Sequence, residues 1–252
     1  MSHILRYASR HMDRIDGTSW KSKGVVASRV GVLDKAVAIL SLLSEDGPAS
    51  LAGVVEGTGL PRPTAHRLLS ALEAHHLVAR AGGRYSLGSR LLGWGNKAVG
   101  IGVVESARPA LAALRDKTGE STQLYVREGD RRVCILSVER ATGLKTTVAL
   151  GAILPLERGS AGKVLLAWGE NDSAKVVAGE LDEIRSRGWV ESVAEREAGV
   201  ASVSAPVFGP GGVLRAAVCA SGPISRLGEH PGERLAEKVV AAAREIERAL
   251  GS

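Results

Sequence analysis

Five arginines fall within residues 62–90, namely Arg62, Arg67, Arg80, Arg84 and Arg90, against the single acid Glu73. Guanidinium groups fork onto phosphate oxygens or onto the acceptor edge of guanine, so such a cluster suits a surface that meets a polyanion. Polar partners are interleaved with them: Thr64 can donate to a phosphate, and His66 and Ser70 share a side with Arg62 and Arg67 at helical spacing. A second set stands at Gly159-Ser160-Ala161-Gly162-Lys163, ahead of the apolar run Leu165, Leu166 and Trp168. Free N–H groups and the dipole at such a helix start suit a carboxylate. A nucleotide phosphate loop does not fit, because GxxxxGK[ST] needs Gly at 157 and Ser or Thr at 164, where the chain has Glu157 and Val164. A plain Gly-rich turn that binds nothing is the alternative for this segment.

Catalysis needs a nucleophile, a base or a metal, and the chain offers little of each. GxSxG, HExxH and GxGxxG at a strand-to-helix junction are absent. Glu195 and Glu197 could form an acid pair, but a pair on a loop reads as solvated. Adjacent His75 and His76 lack a partner Cys, Asp or Glu at ligand spacing. Cys134 and Cys219 stand in neither CxxC nor CxxH spacing, which points to two buried thiols in a reducing compartment. No catalytic residue, no metal and no cofactor is expected.

With 252 residues, of which 44% are hydrophobic and 24% charged, the chain reads as two modest folded domains. No apolar run approaches the roughly 18–20 residues that span a bilayer, and residues 1–24 mix charges with no apolar core, so a cytoplasmic location and no membrane partner are expected. The net charge of +6 is unevenly placed. Residues 1–24 hold five Lys/Arg against two Asp, residues 25–100 hold eight against five acids, and residues 101–252 hold twenty of each sign. The basic excess therefore belongs to the first hundred residues.

The elements that must position these groups follow from periodicity. Leu33, Ala36, Val37, Leu40 and Leu43 form a helical stripe ended by Gly47-Pro48. Ser50 reads as the N-cap of a short helix that Gly59 closes in a left-handed conformation. Pro61 and Pro63 are tolerated at the start of a third helix near Arg62, whose core positions are Ala65, Leu68, Leu69 and Leu72. Leu77–Leu87 alternates around Gly82-Gly83 as a hairpin. Helix, turn, helix and hairpin in that order describe a winged helix-turn-helix, with the third helix in the major groove and Arg80 and Arg84 on the wing. The alternative, an amphipathic helix with Arg67 paired to a neighbouring acid, makes five local arginines a coincidence.

Leu91, Leu92, Val99, Val103 and Val104 with four interspersed glycines suggest a bendable helical connector over 91–104. Beyond it, Pro109, Leu111 and Leu114 mark an amphipathic helix capped by Gly119, and Thr122–Arg127, Gly129-Asp130 and Arg132–Val138 read as strand, turn and strand. Val200–Phe208 and Val213–Ala220 flank Gly209-Pro210-Gly211-Gly212 as a second hairpin, and a last helix runs from about Gly232 to Leu250. Hairpins mixed with helices argue for an α+β domain on an antiparallel sheet.

Gly31–Ala36, Gly59–Leu69 and Arg84–Gly88 resemble the winged helix-turn-helix of IclR-family transcriptional regulators. The resemblance continues through Gly119-Glu120-Ser121, Gly159–Lys163, Glu195–Val200 and Ala205–Phe208, covering about residues 30–250. Residues 1–24 fall outside it and are expected to be a basic, disordered arm. The resemblance implies a winged helix-turn-helix DNA-binding domain over 25–90, a helical linker over 91–104 that carries relative motion, and a GAF-like effector-binding domain over 105–252. It also implies a small-molecule pocket built from Ser160, Ala161 and Gly162 with Ser202, Cys219, Ser221 and Glu197, where Cys219 replaces a small hydroxyl residue. Because one short recognition helix reads few bases, a dimer or tetramer on a pseudo-palindromic double-stranded operator is expected. Within the family, Val32–Ala36, Pro61–Arg67 and Arg196–Pro206 look most like actinobacterial regulators of leucine and related amino-acid biosynthesis. That likeness suggests an amino acid or keto-acid effector; control of aromatic or sugar-acid catabolism is the competing subfamily reading.

Overall fold

The computed structural model describes residues 28, 30–99, 101–169 and 178–251, and divides the chain into a unit ending at Ala98 and a unit beginning at Val99. The basic arm expected over 1–24 lies outside the described residues.

The first unit is three helices against a small sheet. Helix α1 (Gly31–Glu45) is followed by β1 (Ala49–Ser50), α2 (Leu51–Thr58) and α3 (Arg62–Ala74), and then by the hairpin β2 (Val78–Ala81) and β3 (Arg84–Leu87). Ser50 caps α2 as its spacing implies, its Oγ accepting from Gly53 N–H at 3.2 Å, and Gly59 ends the helix at φ 68°. Pro61 and Pro63 flank the first residue of α3, where a missing N–H removes no intrahelical bond. Ile39, Leu42, Leu43, Val54, Leu60, Leu68, Leu69, Leu72, Val78 and Tyr85 form one core. Helix α1 buries Ala38, Ile39, Leu42 and Leu43 and leaves Leu33 and Val37 of its expected stripe exposed, because the face that meets α2, α3 and β3 is rotated from it. The stripe of α3 is taken up as expected. That leaves the Arg62, His66, Arg67 and Ser70 side of α3 in solvent. The wing closes through Gly82 and Gly83, both at positive φ, between the paired residues Ala81 and Arg84, as a two-residue hairpin loop demands. Strand β1, which pairs with β3 as a third member of this sheet, has too few residues to show a period in sequence.

The connector is helical in two pieces, α4 (Arg90–Val99) and the start of α5 (Ile101–Thr118). Helix α5 thus starts eight residues before Pro109, the first residue of the sequence-level stripe, and holds that proline in its interior. The cost is one missing N–H bond along the helix. Its buried positions Ala107, Ala110, Leu111 and Leu114 outweigh that loss by packing on a sheet.

The second unit is built on an antiparallel six-stranded sheet in the order β6-β5-β4-β9-β8-β7. Its strands are β4 (Ser121–Glu128), β5 (Arg131–Val138), β6 (Ile153–Pro155), β7 (Val190–Val193), β8 (Val200–Phe208) and β9 (Leu214–Pro223). Between them lie α6 (Ser160–Trp168), α7 (Ala178–Arg187) and α8 (Ile224–Leu227), and α9 (Gly232–Gly251) ends the chain. Alternation along the strands splits the sheet into two faces. Leu124, Ala201, Val203, Ala205, Val207, Ala216, Val218 and Ala220 face α5 and α9 in one core. Tyr125, Cys134, Ala217 and Cys219 face α6 and α7 in the other. Both hairpins read from sequence are present, as β4–β5 and β8–β9, while the short β6, β7 and α7 carry too little periodicity to be read.

Candidate functional sites

The first site is a cleft between a helix and a wing. Arg62, Pro63 and His66 of α3, Leu51 of α2, and Arg80, Gly83 and Tyr85 of the hairpin line one open concavity of about 650 Å³. Residues up to 34 positions apart, Leu51 and Tyr85, converge there because the core turns the amino end of α3 toward the hairpin. The Arg80 guanidinium lies 5.3 Å over the ring of buried Tyr85, which holds its charge at the rim. Arg84 donates to the carbonyl of Pro48, so this wing arginine also ties β3 to the chain before β1. Arg67 and Ser70 are exposed further along α3, and Thr64 is half-buried in its first turn. Among the described residues, none of Arg62, Arg67 and Arg80 has an acid within ion-pair distance. The face is therefore uncompensated positive charge with hydroxyl and imidazole groups between.

The second site is a small cavity between α6 and the sheet. On β8 the alternation Ala201-Ser202-Val203-Ser204-Ala205 sends alanine and valine to the α5/α9 core and both serines toward α6. On β9 the paired residues Cys219 and Ser221 face the same way. Ser160, the first residue of α6, meets this stripe: its Oγ lies 2.7 Å from Ser202 Oγ, 2.8 Å from Ser204 Oγ and 4.0 Å from Cys219 Sγ. Gly159 precedes it at φ 86°, a conformation open to glycine. Gly162 packs so closely that a Cβ would stand 2.1 Å from the Leu156 carbonyl oxygen. The enclosed space is about 20 Å³, room for one water.

Electrostatics set the character of this cavity. Arg132 and Arg196 line it, whereas none of its described lining residues is an Asp or Glu. Burial pushes the Arg132 pKa down and raises that of Cys219, with hydrogen bonds from Ser204 and Ser160 working against the thiol's shift. Burial also carries the Tyr125 hydroxyl well above its usual range and the Cys134 thiol up to about 12, so Tyr125, Cys134 and Cys219 stay neutral. Burial opposes the charge of Lys163, but hydrogen bonds to Glu195 at 2.7 Å and Glu180 at 2.9 Å outweigh it and raise its pKa.

Of the residues expected here, Ser160, Ala161, Ser202, Cys219 and Ser221 line the cavity. Gly162 lies against Leu156 and Arg132 and serves the approach of α6 rather than the wall. Glu197 points elsewhere: its carboxylate, 60% exposed, pairs with Arg196 at 3.2 Å, because the turn at 194–199 directs the arginine inward instead. Glu197 is thus solvated as a loop acid is expected to be, whereas Glu195 is half-buried: it accepts from Gly159 N–H at 3.1 Å and binds Lys163, bracing the start of α6. Sequence reasoning missed Tyr125, Arg132, Ser192 and Arg196. Arg132 is in phase with buried Cys134 on β5, and that period-two signal placed it inside; the others carry no local mark.

Comparison with known proteins bears on both sites. Residues 32–82 match the model of the IclR helix-turn-helix domain, and residues 96–179 and 173–248 match that of the bacterial transcriptional regulator IclR C-terminal domain. The HTH-type transcriptional regulator RhmR of Escherichia coli is 31% identical over 89% of this chain and 95% of its own length. The DNA-binding transcriptional repressor YiaJ of the same organism is 31% identical over 80% of each chain. Among solved structures, the IclR protein of Thermotoga maritima superposes with a TM-score of 0.68 at 25% identity, covering 88% of this chain and 99% of that one. The α+β arrangement of a helix-turn-helix unit and an antiparallel-sheet unit is the arrangement of that family.

Proposed function

This chain belongs to the IclR family of DNA-binding transcriptional regulators, and from that we propose that α3 and the wing read a pseudo-palindromic operator as a repressor-type dimer or tetramer in the cytoplasm. In this reading Arg62, Thr64, His66, Arg67 and Ser70 meet the major groove and its phosphates, and Arg80 and Arg84 meet the flanking backbone. The observation that carries it is the cleft where Arg62, His66 and Arg80 converge with no acid partner among the described residues. A groove of uncompensated guanidinium groups gains most from a phosphate backbone. Two-fold self-association follows from the reach of one helix, which spans only a half-site.

The cavity under α6 takes the effector, a small carboxylate or amino-acid-related acid, and the regulated genes belong to leucine and related amino-acid biosynthesis. The likeness of residues 32–36, 61–67 and 196–206 to that branch supports this assignment. Binding shifts operator affinity only through its differential affinity for two arrangements of the DNA-binding units. Selection of bound duplexes from randomised DNA by the full chain tests the DNA part: a two-fold symmetric sequence is expected, and recovery of unrelated sequences contradicts it. Thermal-shift screening tests the effector part. Stabilisation by leucine or its precursors is expected, and stabilisation by an aromatic acid alone would transfer the protein to the aromatic-catabolism branch.

A further inference from the structure

Resting on the reading of α3 as the helix that enters the major groove, we propose that Arg90 is a positioning residue for operator recognition. From the start of α4 it fixes the carboxyl end of α3, and it makes no contact with DNA itself. The last turn of α3 holds the acid Glu73 and no basic residue. That is the end where the helix dipole is negative and the last carbonyls lack intrahelical partners. The cation that covers it comes from fifteen residues along the chain. Nη1 of Arg90, the first residue of α4, donates to the carbonyl of His75, the C-cap residue of α3, at 3.2 Å. The same guanidinium lies 5.1 Å over the ring of Trp94, one turn further along α4, which holds it in place.

The backbone beneath this contact is held from several sides. His76 stands at φ 58°, the left-handed region that glycine ordinarily supplies at a helix end. Its N–H donates to the Glu73 carbonyl and that of Leu77 to the Leu72 carbonyl, both at 2.9 Å, the paired bonds of a left-handed helix stop. Gly88, between β3 and α4, seats its own backbone against this turn. Its N–H donates to the Leu77 carbonyl at 2.9 Å, and a Cβ there would stand 2.1 Å from the His76 carbonyl oxygen. Leu91 N–H donates in turn to the Gly88 carbonyl at 3.2 Å, so α4 starts from the same residue. A residue other than glycine persists at positive φ where its surroundings impose it. The end of α3 and the start of α4 thus share one joint, with Arg90 bonded across it. An arginine engaged in this way acts on DNA through the angle of α3, so its loss should cost selectivity between duplexes rather than attraction to phosphate.

The test compares the full chain with Arg90→Ala and Arg90→Lys by fluorescence anisotropy, on its own upstream intergenic DNA and on a scrambled duplex, at about 50 and 200 mM salt. Arg90→Ala should weaken binding to the intergenic DNA about threefold to tenfold, the size expected for one charge-assisted hydrogen bond. Affinity for the scrambled duplex and the salt slope should stay as in the parent. Arg90→Lys, which keeps a cation at the helix end without the fork, should recover part of the loss. A loss shared by both duplexes, with a salt slope lower by about one, makes Arg90 a phosphate contact and overturns the proposal. Unchanged affinity in the folded variants overturns it as well. If Arg90→Ala unfolds by circular dichroism, Arg90→Gln takes its place, since glutamine keeps a donor without the charge. Hydrogen exchange of the DNA-free chain reads the joint without an operator. Arg90→Ala should speed exchange at the His76 and Leu77 amides about threefold or more and leave Ile39 and Leu42 of α1 unchanged. Unchanged exchange at His76 and Leu77 removes this proposal alone. Faster exchange there in a protein whose parent form prefers neither duplex removes the operator reading alone.

Discussion

Arg67 stands exposed on α3 with no acid within ion-pair distance among the described residues, so its charge is free for a ligand. Arg67→Ala should weaken operator binding by roughly 1–3 kcal/mol if it meets a base or a tight phosphate, read by fluorescence anisotropy. Unchanged affinity in the folded variant rejects that role. Lys163 is the residue whose protonation is tied to the fold. Its pKa is raised above the ordinary 10.5, so its stabilising ion pairs are fully present below that value and fade as pH rises through the higher folded value. Lys163→Met should therefore cost about 1–3 kcal/mol near neutrality, and the gap to the parent protein should narrow in denaturation series above pH 10.5. A gap constant with pH would mean the loss is packing alone. Legibility differed sharply between these residues. Arg67 was readable because helical spacing and local charge coincide within one turn, whereas the period of β5 marks Arg132 only as inward-facing and the cavity it lines is closed by residues of α6, β8 and β9 far along the chain.

Helices α2 and α3 were legible because Ser50, Gly59, Pro61 and Pro63 punctuate them, each for a local backbone reason. Residues 101–104 were read as part of a helical connector, but their continuity with the helix through Pro109 was not legible, since a proline inside a helix is tolerated only when tertiary packing repays it. The cavity was half legible. The turn at 159–163 announces α6, but the serine stripe of β8 becomes a wall only once α6 lies across it. Two predictions belong to elements. Gly162→Ala should destabilise the second unit by more than about 2 kcal/mol, because the added methyl collides with a backbone carbonyl rather than a movable side chain. A melting temperature within error of the parent would show that α6 can shift away from Leu156. Arg84→Ala, on the wing, should lower affinity for operator and random DNA alike and reduce the salt slope by about one. Since Arg84 also bonds the Pro48 carbonyl, the variant's melting temperature must be read beside its affinity. A loss confined to one base position contradicts the backbone role.

Across the whole molecule, the charge map and the two units describe one division of labour. The basic excess of the first hundred residues sits with the helix-turn-helix unit, while the balanced remainder forms a sheet domain around a cationic cavity. If the cavity's ligand and the operator are coupled, each changes the other's affinity by the same factor, about 5- to 150-fold for a coupling of 1–3 kcal/mol. The most direct measurement is anisotropy binding of the full chain to its own upstream intergenic DNA and to a scrambled duplex, at about 50 and 200 mM salt. The account predicts a preference for the intergenic DNA that survives the higher salt and is changed by a bound acid. Weak binding, equal on both duplexes and abolished by salt, would reduce α3 and the wing to a basic surface and contradict the account.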